Sequence, residues 1–376
     1  MHLYLLRLCY QMLKKLINLI ALPLIALTSI TLVHAAEVNK LDEADITVAS
    51  RANDVKNNAL KEALAAVFLK NSGLPSVVLN PLVKAQINNP EVILTQYGYY
   101  EKNGELMLKA SFDHQRVIST LREAGLPVWG SQRPLTLLWM SVDENNEPSI
   151  LADASSADIR SELAQESSNK GIPLLLPIMD LDDVMQVSIT DVRGMFTDVL
   201  ANASTRYQAD YFAIANLDTQ GVNVHYTIKL FDKNRTNGVL QPLISQQGDA
   251  TDNQQATKRM MNILADYYIS QYAIASTGRD VATQVSFTGL NNMTQLVHVE
   301  TYLRQLSAVK SLKLSQFKGD AATYTIELFS SVDDLQRLLN IDSRLSQLDT
   351  VGSVESFYES KADNPAPKLL YQWLGQ

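Results

Sequence analysis

Hydrophobic and polar positions along this chain switch repeatedly between a period of two and a period near 3.6, and the switches divide it into blocks. Residues 46–48 read as a strand. Ser50 is placed to cap a helix on which Val55, Ala59, Ala63 and Val67 share one face, with Leu60 and Leu64 beside it. Gly73 ends that helix, and Leu74-Pro75 prevents its return. Asn80-Pro81 opens a short helix over residues 82–87. Residues 92–101 and 105–112 flank Lys102-Asn103-Gly104, and Asn-Gly supports the positive φ angles of a tight hairpin. Leu106, Leu108, Ala110 and Phe112 alternate on the second strand, as a half-buried sheet requires. Asp113 caps a helix carrying Val117, Ile118 and Leu121. The order is β-α-β-β-α, with a small extra helix.

The next block begins with residues 134–140, a strand apolar on both faces, followed by a polar, loop-like stretch over 143–156. A helix with Ile159 and Leu163 inward ends at Gly171, and residues 172–176 form another strand. Thr190 is placed to cap a helix through Asp191, Met195, Phe196 and Val199. Three strands follow at 209–217, 222–231 and 239–247, with turns at Gln220-Gly221 and Asn237-Gly238. A long helix over 254–275 carries Met260, Met261, Leu264, Tyr268 and Tyr272. After Ser276-Thr277-Gly278 the first order returns. There is a strand at 281–287, then a helix with Leu296, Val299, Leu303 and Leu306. A hairpin around Lys318-Gly319-Asp320 and a helix with Leu335, Leu338 and Leu339 complete it. Ser330 and Asp333 resemble a capping box for that helix. The fold class expected is α/β (α+β), as consecutive small mixed-sheet sandwiches. The expected divisions are 36–130, 131–276, 280–350 and a tail, 351–376.

Residues 1–35 read as an export signal, cleaved after Ala35. Arg7, Lys14 and Lys15 precede an apolar stretch, and Val33-His34-Ala35 supplies small residues at the cleavage positions. An inner-membrane anchor is the alternative, although 18 helical residues reach only about 27 Å against a ~30 Å hydrocarbon core. The only cysteine, Cys9, lies inside this segment. The chain after cleavage has no disulfide, thiol nucleophile or cysteine metal site, which suits an oxidising periplasm. Losing three cations and no acid takes the formal charge from −8 to −11. An acidic exported chain is a poor match for nucleic acid or anionic lipid.

Reaction chemistry is sparse. Ser-x-x-Lys occurs at 167–170, 307–310 and 315–318, without the companion motifs of serine acyl transfer. His114, His225 and His298 fall in different blocks and lack metal-ligand spacing. The segment GIPLLLPIMDLDDV, residues 171–184, is the strongest candidate. An apolar run ends in Asp180, Asp182 and Asp183, with Asp191 close behind. Carboxylates beyond a strand end can hold a hard cation or act in hydrolysis. Asp is equally suited to start helices, where it takes orphan N–H groups and complements the dipole. No basic residue lies within seven positions of the cluster. The favoured expectation is a capping role for Asp182 or Asp183, with no catalytic residue, metal or cofactor. Candidate partner-binding residues are Tyr371, Trp373 and Leu374 in the apolar tail, and Tyr97, Tyr99 and Trp129, whose rings stack or dock if exposed.

Three stretches carry a resemblance: Val128-Trp129 through Arg133-Pro134-Leu135 to Leu138-Trp139, then GIPLLLPIMDLDD, then Arg206-Tyr207-Gln208-Ala209-Asp210-Tyr211. Together they resemble a proteobacterial exported family, domain of unknown function 2066, which implies a compartment but no assigned activity. The central block also resembles, in element order, the small α/β docking module of Tol-system proteins and of activators of peptidoglycan synthases. The resulting expectation is a non-catalytic periplasmic binding or scaffold protein with an envelope or peptidoglycan-associated partner. The alternatives are a cation-dependent hydrolase built on the Asp180–Asp183 segment and a carrier of an apolar ligand.

Overall fold

The computed structural model describes residues 40–102, 104–144, 147–220, 223–232, 239–279, 281–342, 344–348 and 369–375. The segment expected to be an export signal, the turn residues Asn103, Gly221, Asn237 and Gly238, and the first part of the tail lie outside the described residues. The first block runs β1 (Glu43–Thr47), α1 (Asn53–Ser72), α2 (Pro81–Asn88), β2 (Leu94–Lys102), β3 (Glu105–Phe112) and α3 (His114–Glu123). Its antiparallel sheet has the order β1-β3-β2, with Ile46 opposite Leu108 and Tyr97 opposite Ala110. Period-two alternation puts Leu108, Ala110 and Phe112 on the face that meets Leu60, Leu64, Phe68 and Leu121 of the helices. Ser50 does not cap α1. Ala52 is the capping position, and the Ser50 hydroxyl accepts the Ala52 N–H just ahead of the helix.

The second block contains β4 (Thr136–Glu144), β5 (Glu147–Ile150), α4 (Asp158–Lys170), β6 (Leu174–Leu175), α5 (Leu181–Gln186), α6 (Ile189–Arg193), α7 (Thr197–Ser204), β7 (Tyr211–Gln220), β8 (Asn223–Phe231), β9 (Ile244–Ala250) and α8 (Asn253–Tyr272). The sheet order is β5-β4-β7-β8-β9, with β6 beside the start of β4. β4 runs parallel to β6 and β7, and the other pairs are antiparallel. Leu138, Met140, Ala213, Ala215, Tyr226 and Ile228 face α4 and α8 through Leu163, Met261, Leu264 and Tyr268. Leu137, Trp139, Phe212, Ile214 and Phe231 face the other way, onto Val192, Leu200 and Ala203. Helices on both faces explain the unbroken apolar run of β4.

Several expectations change here: the strand expected over 239–247 runs Ile244–Ala250, and Ser188, not Thr190, is the cap. Part of the polar stretch 143–156 is strand β5. The strand expected over 172–176 shortens to two residues. The helix expected from Thr190 is two helices, broken at Met195, whose backbone is left-handed at φ 53°.

The third block runs β10 (Val281–Thr288), α9 (Met293–Gln305), β11 (Val309–Lys318), β12 (Ala321–Leu328), α10 (Val332–Ile341), β13 (Leu345–Gln347) and β14 (Leu369–Trp373). Its sheet order is β11-β12-β10-β14-β13. Ser331 and Asp334, one residue on from the expected pair, form the capping box of α10. The apolar tail is an inner strand, parallel to β10 and antiparallel to β13. Tyr371 is fully buried against Phe287, and Trp373 lies against Tyr302. Their assignment to a partner is therefore corrected: the surface they would offer is covered by the chain's own sheet. Of the three tail candidates, Leu374, just past the strand, is the exposed one. The second and third blocks share one continuous core, from Trp129 to Trp373.

Residues 128–133 join the three blocks. Val128 pairs with Ile274 in an antiparallel bridge, and the Trp129 N–H donates to Asn71 O at 2.8 Å. Arg133 is buried, and its guanidinium donates to five backbone carbonyls. They are Lys70 O in the last turn of α1, Lys170 O and Gly171 O at the end of α4, and Trp129 O and Gly130 O in the linker. Its plane lies 3.5 Å from the centre of the Trp129 ring, which buries Trp129 and removes it from the partner-binding candidates. Burial pulls the Arg133 pKa well down, and two helix carboxyl ends, each with negative partial charge, favour the cation in return. Gly171 makes the crowding possible. Its φ is +65°, and an added Cβ would sit 3.1 Å from Lys70 Cγ and 3.3 Å from Arg133 Nη1.

Replacing Arg133 by Leu leaves buried carbonyls without donors and is expected to lower unfolding free energy by about 3 kcal/mol or more. Arg133→Lys, which reaches fewer of the acceptors, is expected to fall between the two; denaturant unfolding measures both. Beside it, Lys70 donates to Lys40 O and Glu43 O, and burial, then Arg133, push its pKa down to about 8. Between about pH 8 and 10.4 the unfolded chain holds a proton that folded Lys70 has released, so this group raises stability as pH rises through that window. The slope from one such proton is at most about 1.4 kcal/mol per pH unit, and Lys70→Met is expected to remove it from the stability profile.

Candidate functional site

The acidic segment lies where β6 leaves the sheet and the chain turns into the three short helices of the second face. Met179 takes a left-handed backbone at φ 56°, which costs a non-glycine residue about 1 kcal/mol or more. Its N–H thereby reaches Asp183 Oδ2 at 2.9 Å. Asp180, rather than Asp182 or Asp183, is the cap of α5, its Oδ1 accepting the Asp183 N–H at 3.2 Å. Asp183 is fully buried. Besides Met179 it accepts from the Tyr207 hydroxyl and from Arg206 Nη1 at 3.0 Å. Arg206 also clamps Asp180 with both nitrogens at 2.7 Å, in the bidentate geometry that matches a planar carboxylate.

The cation missing from the local sequence thus comes from 23 to 26 residues downstream, and two of the expected carboxylates converge on a guanidinium. Asp182 faces solvent. Asp191 closes a capping box with Ser188, 2.8 Å from the Ser188 N–H and 2.6 Å from its hydroxyl. Among the described residues no three His, Cys, Asp or Glu side chains gather in metal-holding geometry. His225 pairs with Asp249 at 2.9 Å, and His298 is an exposed residue of α9.

The electrostatics follow the hydrogen bonds. The Arg206 guanidinium, then the Asp183 N–H, hold the Asp180 carboxyl down at about 2. The Ser188 hydroxyl and N–H lower Asp191. Burial, then the bond to Asp183, push the Tyr207 hydroxyl up to about 12.

With its polar side tied down, α5 turns the opposite side to solvent. Leu181, Val184 and Met185 occupy i, i+3 and i+4 and are 73%, 60% and 76% exposed. Ile178 ahead of the helix and Phe196 between α6 and α7 are each more than half exposed. The sequence carries this apolar face in LDDVMQ, interleaved with the acids. Elsewhere, Tyr97 stays 45% exposed on β2 with the Lys56 ammonium 5.7 Å above its ring, and half-buried Tyr99 lies under Arg51. A mostly apolar hollow of about 230 Å³ between α7 and β7, lined by Ala201, Ala209, Phe212 and Leu240, falls short of the ~300–1,000 Å³ usual for small-molecule sites.

Two family models match the chain. Residues 35–130 match a domain of unknown function, DUF8605. Residues 281–374 match DUF2066. The second name is the one the sequence motifs suggested, on other residues: the motifs at 128–139, 171–183 and 206–211 fall between the two matched spans. The matched spans coincide with the first and third blocks of the fold, and the acidic segment and α5 lie in the second. No curated protein matches. A solved structure, the hypothetical protein CT253 from Chlamydia trachomatis, is 12% identical with a TM-score of 0.21, over 37% of this chain and 95% of that one, a likeness that carries no argument.

The Asp180 carboxyl is expected to titrate near 2. Stability linked to its ionised form is complete above the ordinary carboxylate value of 3.8 and is lost as pH falls through about 2. Arg206→Gln is expected to raise the midpoint toward the ordinary value, read by carboxyl-carbon NMR. A midpoint unmoved in that variant would rule Arg206 out as the cause.

Proposed function

We propose that this chain is a non-catalytic periplasmic binding or scaffold protein of the bacterial envelope, and that α5 is its contact surface for an envelope or peptidoglycan-associated protein. The observation that carries this reading is the division of labour within α5. Its cap Asp180 and its buried Asp183 are tied to Arg206, Asp182 faces solvent, and its apolar side chains stand in water. Exposed apolar groups at helical spacing, held on a rigid base, are the form in which helix faces meet partners. Burying a Leu, Val or Met side chain contributes roughly 1.5–3 kcal/mol each, so a few such contacts suffice for a specific encounter. The three-layer second block, similar in element order to docking modules of Tol-system proteins and peptidoglycan-synthase activators, supports the same reading by analogy. Export is part of the proposal and rests on residues 1–35. Among the described residues no helix is long and apolar enough to cross a membrane.

A photo-crosslinking amino acid at Met185, in cells of the native bacterium, is expected to give one reproducible, light-dependent protein adduct. Leu181→Asp and Val184→Asp, outside the core, should deplete it strongly while leaving the melting temperature in place. Repeated recovery of no adduct, or of one indifferent to both substitutions, would sink the reading.

A further inference from the structure

Beyond α6 the second face of the central sheet is uncovered and its character changes. Phe212, Ile214 and Phe231 lie under the helices, but further along the same face come Asn216, Thr227 and Lys229. These residues floor a cleft of about 620 Å³, walled on one side by Arg193, Gly194 and Met195 and on the other by β9. The first wall is fixed in place. Asn216 Nδ2 donates to Arg193 O at 3.0 Å, the Ser141 hydroxyl donates to Asn216 Oδ1 at 3.0 Å, and the Arg193 guanidinium bonds Asp218 with Asp143 3.8 Å away. Arg193 is therefore neutralised.

Lys229 is not. Its side chain has no ion pair or hydrogen bond among the described residues, in a chain whose formal charge is −8. The Thr227 and Ser245 hydroxyls and the Gln246 and Gln247 amides are likewise free of side-chain partners among the described residues.

The second wall is a strand edge. Among the described residues β9 is last in the sheet order and pairs with β8 alone. Ser245, Gln246 and Gln247 all line the cleft, although consecutive strand residues point to opposite faces, so the cleft reaches around the open edge of the strand. The backbone groups of these three residues make no hydrogen bond outside the β8 ladder among the described residues. Ser245 stands opposite Lys229. Its small side chain leaves room between Lys229 and the position where a further strand would lie, about 4.8 Å beyond β9. Among the described residues no aromatic ring lines the cleft, so they offer no flat apolar surface on which a sugar ring stacks.

We infer that the open edge of β9 and the cleft beside it together bind an extended acidic peptide as an added strand, one of its carboxylates pairing with Lys229. Backbone pairing along β9 supplies affinity without sequence preference. Alternate side chains enter the cleft, and the free ammonium selects an acid among them. The inference rests on the reading of the chain as a binding protein and names the partner chemistry for a surface separate from α5.

The test is selection of a random twelve-residue peptide display library on the immobilised full chain. Enriched peptides should share an Asp or Glu at one aligned position. As synthetic peptides they should bind Lys229→Glu about ten-fold or more weakly than the parent chain. They should be indifferent to Leu181→Asp, which separates this surface from α5. Methylating alternate backbone nitrogens of the peptide should abolish binding in one of the two registers. Lys229→Gln keeps the stem and serves as the second variant if Lys229→Glu lowers the melting temperature. The inference is overturned by an absence of enrichment, by peptides insensitive to both Lys229 variants, by peptides that need Leu181 instead, or by peptidoglycan fragments binding this cleft where peptides do not.

Discussion

A positive charge without a carboxylate, buried where three blocks of the chain meet, is the constraint on which the rest of this structure depends. The Arg133 guanidinium can stay in the interior only because five carbonyls and the face of Trp129 replace its water. Those carbonyls come from the ends of α1 and α4 and from the linker between them. Their directions are fixed by the arginine's planar fork, so the first block is oriented on the second by hydrogen-bond geometry as well as by apolar contact. Arg122 repeats the device on the other side. It leaves the last turn of α3 to donate to Ile274 O and Ser307 O, with Phe329 4.2 Å from its guanidinium. Two arginines therefore bind the first block to both others through main-chain acceptors, and the second and third blocks are merged by their common core.

This rigid frame gives the second face of the central sheet its character. Short helices cover only part of that face, and left-handed Met179 and Met195 let the chain turn sharply enough to build them. Gln208, the third residue with such a backbone outside glycine among the described residues, closes the same segment just before β7. The cluster of unusual conformations, the Asp180–Arg206–Asp183 clamp and the exposed face of α5 belong to one stretch. The clamp holds α5 by its polar side, which leaves the apolar side outward.

Much of the architecture was legible from periodicity. Leu106 to Phe112 and Ala322 to Leu328 alternate cleanly and became inner strands, and Gly73 and Gly171 ended helices in the left-handed conformation their positions required. What failed to show was what depends on distance along the chain. Arg206 is too remote from Asp180 for local spacing to pair them, so the acids looked unneutralised. β14 has the composition of a docking peptide, and only the parallel partner β10, more than 80 residues earlier, makes it an inner strand. The break at Met195 was hidden because Asp191, Val192, Met195, Phe196 and Val199 keep helical spacing across it. Arg133 stood in a motif that suggested a family, yet nothing in sequence marks an arginine as buried among carbonyls.

The place of β14 has a consequence for biosynthesis. β13 touches the third sheet only through β14, so neither can take its position until residues 369–373 have left the ribosome. Earlier blocks can collapse during elongation, but the core shared by the second and third blocks stays open at Phe287 and Tyr302 until then. A chain with that last stretch threaded, tethered or still in transit is incomplete by a strand from the middle of a sheet, and its exposed interior is what a chaperone or protease would meet first.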